Sequence, residues 1–153
     1  MNEVISLPPD IEATLYAHGA LGREALDAGD SAAAEAHFLD AWACIPEPRL
    51  AYDHAASIAV AMVGFYRDTG QSGKAMQWLA LAREAYGPEP DPSIEFLAAT
   101  VHFASAEFDQ AFEIFDVLYK QFRRRPFQEE DPRYLDFYLA QAAQRKNKAA
   151  KSD

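Results

Sequence analysis

The stretch that decides the fold is LGREALDAGDSAAAEAHFLDAWACIPEP, residues 21–48. Apolar residues recur at three- and four-residue spacing on both sides of the break AGDS, which predicts two amphipathic helices joined by a tight turn. Gly29 suits the turn, because glycine adopts a positive φ without steric cost. Ala34 is small enough to let the two helices approach closely, and Phe38 fills the space one turn later. The stretch therefore predicts a helical hairpin.

The same pattern recurs twice further along the chain. One hairpin cannot bury its apolar face alone, so the copies are expected to stack on one another. The positions Gly29, Ala34, Phe38 and Ala41 correspond to Gly70, Ala75, Leu79 and Ala82 in the second copy and to Ala106, Ala111, Phe115 and Leu118 in the third.

Regular breaks rich in Gly, Pro and Asp divide the rest of the chain into helical segments. The predicted class is all-α, with seven helices at about 9–28, 31–45, 49–69, 72–86, 92–105, 108–124 and 132–147. Asp30, Ser72, Asp91 and Asp131 precede helical segments and are the expected N-caps. A single domain over 1–147 is expected, with hairpins at about 10–46, 49–87 and 92–124, a capping helix at 132–147 and a flexible basic tail at 148–153.

The first copy resembles the tetratricopeptide repeat (TPR). Leu21 and Gly22 fit the paired Leu-Gly of that family, Gly29 fits its turn, and Ala34, Phe38, Ala41 and Pro46 fit its second helix. The resemblance implies a right-handed solenoid of three hairpins with a C-terminal capping helix. The last sixty or so residues, including FQEEDPRYLDFYL, are similar to small bacterial TPR proteins that are often encoded beside polymorphic toxins and secretion effectors.

TPR domains usually bind their partners on the concave face, which their first helices line. Carrying the groove positions of the family over to this chain predicts a partner-binding face. Its residues are Tyr16, Arg23, Asp27, Ser57, Arg67, Asp68, Phe96, Thr100 and Phe103. Of the two phenylalanines, Phe96 and Phe103, the sequence allows two interpretations: they anchor an apolar side chain of the partner, or they pack against the second hairpin.

Charge and hydropathy exclude several classes of partner. The formal net charge of −10 argues against nucleic acid, because phosphate binding needs a basic face. The acidic first fifteen residues lack the apolar core of a secretory signal, and no run is long enough to span a bilayer. A cytoplasmic protein without a membrane partner is the expectation.

Catalytic and metal-binding patterns are not evident. The four histidines, at positions 18, 37, 54 and 102, show no i,i+4 pairing, so no metal or other cofactor is expected. Asp53, His54 and Ser57 contain the residue types of a hydrolase triad, but three neighbours on one helix rarely attain that geometry. An enzyme is therefore not predicted.

The functional hypothesis is a non-enzymatic protein-binding module of the immunity or adaptor type, which occludes a co-encoded bacterial toxin or effector. The alternative is a TPR-type secretion chaperone that holds an extended segment of a secreted substrate. A homodimer formed through the aromatic-rich C-terminal helices is a third possibility.

Overall fold

A computed structural model describes residues 4–152, and within this range the chain is all-α, which confirms the predicted class. Two short 3₁₀ turns, Arg49–Ala51 and Arg125–Phe127, interrupt the helical order. The helices are α1 (Pro9–Asp27), α2 (Ser31–Ala43), α3 (Asp53–Asp68), α4 (Ser72–Tyr86), α5 (Pro92–Ala104), α6 (Phe108–Phe122) and α7 (Pro132–Ser152).

Consecutive helices pack as three hairpins, α1 with α2, α3 with α4 and α5 with α6. The second and third hairpins stack closely, since α5 contacts both α3 and α4, and α7 lies against α6. The first hairpin contacts the second through α2 and α3, and α1 reaches α3 through side chains, among them Tyr16 and His54.

The turns inside the three hairpins share one hydrogen-bond geometry. The amide of Gly29 donates to Leu26, that of Gly70 to Arg67 and that of Ala106 to Phe103, at 3.0, 3.3 and 3.1 Å between nitrogen and oxygen. All three residues have positive φ, at 81°, 73° and 60°. The third copy thus makes the same turn with an alanine, a residue that pays a steric cost in this conformation.

Fully buried alanines mark the contact between the helices of each hairpin. Ala34, Ala75 and Ala111 each have 0% of their surface exposed. The small side chain lets the two backbones approach closely, so that larger neighbours pack around the contact. The repeat predicted from the sequence therefore corresponds to one packing arrangement used three times.

A C-terminal aromatic cluster joins the third hairpin to α7. Phe115 is fully buried, and its ring lies 5.3 Å from that of Phe127 and 5.9 Å from that of Tyr134. Tyr138 donates a 2.7 Å hydrogen bond to Asp116. The aromatic side chains of the C-terminal helices therefore pack largely against one another within the chain.

Several helix ends differ from the sequence-based boundaries. α3 begins at Asp53 and not at 49, because the chain after Pro46 first makes a 3₁₀ turn. α7 continues through Ser152, so the described part of the predicted tail at 148–153 is helical. Asp30, Asp91 and Asp131 accept capping hydrogen bonds as expected, from the amides of Ala33, Ser93 and Arg133. The prediction for Ser72 was wrong, since Gln71 precedes the helix and makes no side-chain cap.

A short segment before α1, residues 4–8, runs beside the connection between the first two hairpins. We call this segment the strap. The amide of Ile5 donates to the carbonyl of Ala51 at 2.9 Å, and the amide of Asp53 donates to the carbonyl of Ile5 at 3.1 Å. Leu7 anchors the strap, with 6% of its surface exposed. The strap therefore ties the beginning of α1 to the beginning of α3.

A polar link fastens the first hairpin to the second. Glu35 on α2 accepts hydrogen bonds from the hydroxyl of Tyr66 on α3 and from Lys74 on α4, the latter at 3.1 Å. These bonds, that of Tyr66 foremost, hold the pKa of Glu35 below its ordinary value of 4.5. Trp42 and Trp78 add an edge-to-face contact between α2 and α4, with ring centroids 4.9 Å apart.

Replacing Ala106 with glycine should raise the free energy of unfolding by about 0.5 to 1 kcal/mol, because glycine tolerates positive φ, although it makes the unfolded chain more flexible. Gly29→Ala should lower the free energy of unfolding by about 1 kcal/mol. A Cβ added at this position would meet open space, so the only cost is that of an alanine at positive φ. Urea unfolding of both variants measures the two values. A destabilised Ala106→Gly would contradict the assigned turn.

Replacing Tyr66 with phenylalanine should lower the free energy of unfolding by about 1 kcal/mol near neutral pH, through loss of the bond to Glu35. Because the folded-state pKa of Glu35 is depressed, its stabilisation is present above pH 4.5 and is lost as the pH falls through the folded-state value. The difference between the wild type and this variant should therefore shrink in acid. Urea unfolding near neutral pH and in acid tests this link, with Tyr119→Phe as the control. A difference in stability between the wild type and Tyr66→Phe that does not change with pH would contradict it.

Candidate functional site

An apolar cleft lies between α1 and α3, with part of α2 as its floor. Its volume is about 450 Å³. Tyr16 and Leu26 stand on its rim with 55% and 42% of their surfaces exposed. The lining residues are Leu15, Tyr16, Gly19, Arg23, Leu26, Phe38, Ala41, His54, Ser57, Ile58, Ala61, Met62, Gly64, Phe65 and Asp68.

Small residues on both walls keep the cleft open. Gly19 lines it from α1, and Ala61 and Gly64 line it from α3. Phe38 on the floor is only half-buried, although its counterparts in the other two copies, Leu79 and Phe115, are completely buried. The core position that is filled in the second and third hairpins is therefore partly accessible in the first.

His54 occupies one end of the cleft, held by groups from two helices. Its Nδ1 lies 2.6 Å from Oδ1 of Asp53, and its Nε2 lies 3.1 Å from the hydroxyl of Tyr16 and 3.3 Å from Oε2 of Glu12. No hydrogen bond joins it to Ser57 within residues 4–152. The arrangement positions His54 between two carboxylates and does not activate the Ser57 hydroxyl.

The opposite end of the cleft carries a fixed ion pair. Arg67 donates a 2.9 Å hydrogen bond to Asp68 and a 2.8 Å hydrogen bond to the hydroxyl of Thr100 on α5. Burial alone would lower the pKa of Arg67, but its bond to Asp68 outweighs that effect and raises it. Arg67 is therefore a charged structural group committed to partners within the chain. Arg23 is the basic residue that lines the cleft itself.

The structure brings part of the sequence-predicted face together. Tyr16, Arg23, Ser57 and Asp68 line the cleft, whereas Asp27 is exposed at the end of α1 outside it.

The predicted residues on α5 lie elsewhere. Phe96 has 4% of its surface exposed and Thr100 has 1%. The ring of Phe96 packs among those of Phe115, Phe127 and Tyr134, with centroids 5.1 to 5.8 Å apart. The half-buried ring of Phe103 contacts Phe108, Tyr134 and Phe137. The prediction that Phe96 and Phe103 present their rings to a partner is therefore corrected: both belong to the C-terminal aromatic cluster, because α7 and the 3₁₀ turn before it cover α5. The alternative interpretation, packing against the second hairpin, also named the wrong neighbours.

No family model, curated protein or solved structure matches this chain. What the cleft can bind is therefore inferred from its own geometry and from the residues around it. None of the helices described between residues 4 and 152 is long and apolar enough to cross a bilayer.

Sequence reasoning missed the floor of the cleft and the closeness of three side chains whose types could bind a metal ion. The sequence analysis predicts only that Phe38 packs within the hairpin. The small residues on the two cleft walls are the sequence feature that would have indicated an accessible Phe38 ring. His18, His37 and Asp40 lie together on the first hairpin, with one potential ligand atom from each within 4.8 Å of the others. The expectation of no metal cluster considered spacing along the chain and not the closeness of α1 to α2.

Replacing Gly22 with alanine should disturb the cleft floor, because a Cβ there would lie 2.4 Å from Cε1 of Phe38. We expect a loss of about 1 to 3 kcal/mol in the free energy of unfolding and a displaced ring. Urea unfolding gives the first quantity, and the NMR shift of the Met62 methyl group reports the second. Gly19→Ala is the control, since its Cβ would meet only the flexible Arg23 side chain, at 3.4 Å. Equal methyl shifts in both variants would contradict this packing.

Proposed function

We propose that this protein is a non-enzymatic protein-binding module that holds an apolar, basic segment of another protein in the cleft. The observation that carries the proposal is a preformed apolar cleft whose rim leaves Tyr16 and Leu26 about half exposed. A small-molecule site encloses most of its ligand, whereas an open apolar rim suits a segment that remains attached to a larger partner.

Charge around the cleft supports a basic partner. Glu12 and Asp53 lie beside it at the His54 end, and the chain as a whole carries a formal net charge of −10. Complementary charge accelerates encounter and selects among partners more than it adds affinity. The segment is therefore expected to place an apolar side chain on Phe38 and Phe65 and Lys or Arg toward the rim.

A TPR-like right-handed solenoid is the architecture we propose for the module. Support comes from the three hairpins with identical turn bonding, the fully buried alanine in each, and the terminal helix that covers the third hairpin. In such an architecture the first helices of neighbouring hairpins form a concave face, and the cleft lies between the first helices α1 and α3.

For the partner, we propose a co-encoded bacterial toxin or effector, with the protein acting as its immunity or adaptor protein. This step depends on the similarity of the C-terminal segment to small bacterial TPR proteins. The secretion chaperone remains the alternative, favoured by a cleft suited to a single segment. The two differ in the partner's state, since an isolated peptide suffices for a chaperone whereas an inhibitor needs the folded toxin.

Peptide display selection on the purified protein tests the mode of binding. The selected peptides should share an apolar residue flanked by Lys or Arg, and their affinity should fall with added salt. Leu26→Ala should weaken binding about tenfold, because it removes exposed apolar surface at the rim. Fluorescence polarisation with a labelled selected peptide measures the change.

Leu21→Ala is the matched control, because Leu21 lies on the same helix with 46% of its surface exposed but does not line the cleft. Equal weakening in both variants, or selection of acidic peptides, would overturn the proposed cleft and its charge preference.

A further inference from the structure

Three side chains of metal-ligand type meet on the first hairpin, outside the lining of the cleft. His37 and Asp40 are three residues apart on α2 and share a face, and His18 reaches them from α1. One potential ligand atom from each lies within 4.8 Å of the other two. The close approach of α1 and α2, seen where Gly22 meets Phe38, is what brings these residues together.

The three side chains also share a lack of partners. His54 and His102 are each held by carboxylates, His54 by Asp53 and Glu12 and His102 by Glu107 at 3.1 Å. In contrast, no side-chain hydrogen bond or ion pair of His18, His37 or Asp40 is found within the described range 4–152. The Nδ1 atom of His18 is buried and likewise has no hydrogen-bond partner there. A buried imidazole nitrogen without a partner is costly, and a cation coordinated through that nitrogen would relieve the cost.

The chemistry of the donor set selects the class of ion. Two imidazoles and one carboxylate suit zinc, whereas calcium and magnesium prefer oxygen ligands alone. Zinc bonds of about 2.0 to 2.2 Å require the three donors to move closer together than 4.8 Å. The exposed side chain of Asp40 can rotate to allow this.

We propose that His18, His37 and Asp40 bind one Zn²⁺ ion, with water in the fourth position. Three protein ligands and an open position are a common zinc arrangement. The bound ion would join α1 to α2 and so fasten the wall and the floor of the cleft to each other. The site shares no residue with the cleft lining and is independent of what the cleft binds.

Titration of metal-free protein with zinc chloride, followed by isothermal calorimetry in a non-chelating buffer, tests the site. One zinc ion per chain is expected. Removing a residue that only holds a metal ligand in place weakens metal binding about 10- to 100-fold. Because His37 and Asp40 are proposed as ligands themselves, His37→Gln and Asp40→Asn should each weaken zinc binding at least tenfold. These two residues are chosen because a ring nitrogen of His18 is buried in the hairpin, and circular dichroism confirms that the variants remain folded.

His102→Gln is the matched control, since it removes a histidine from α5 and should bind zinc as the wild type does. Zinc should also raise the midpoint of thermal unfolding of the wild type and of His102→Gln, but not that of His37→Gln. Absence of saturable zinc binding would overturn the proposal. Undiminished affinity in His37→Gln and Asp40→Asn, or an equal loss in His102→Gln, would do so as well.

Discussion

The architecture depends on the close approach of two helices at one alanine in each hairpin. Ala34, Ala75 and Ala111 are completely buried, and any larger side chain at these positions would separate the helices and displace the residues packed around the contact. The same closeness places Gly22 against Phe38 and brings His18 to α2. The shape of the cleft floor and the closeness of His18, His37 and Asp40 therefore both follow from how closely α1 packs against α2.

Much of this fold could be predicted from the sequence, because helices and hairpin turns are decided locally. Periodic apolar residues and the capping aspartates located the helices to within a few residues. The third hairpin shows that the pattern outweighs a single residue, since Ala106 adopts the turn conformation without being glycine. The start of α3 was misplaced because the 3₁₀ turn at Arg49–Ala51 and its pairing with the strap depend on contacts distant in sequence.

The candidate site was less predictable, because it depends on how hairpins pack. Four of the six groove positions predicted on α1 and α3 line the cleft, but none of those on α5 does, since Phe127 and Tyr134 cover Phe96. Periodicity identifies the face of a helix and not what will cover that face. In the same way, His18 and His37 are unrelated by helical spacing, and only the hairpin brings them together.

The strap adds a second line of attachment between the first two hairpins. Along α2 they are joined through the link at Glu35. On the α1 side they are joined by the two backbone hydrogen bonds of Ile5 and by the hydrogen bond between Tyr16 and His54. The width of the cleft is therefore fixed on both sides, and in part by a segment that does not line it.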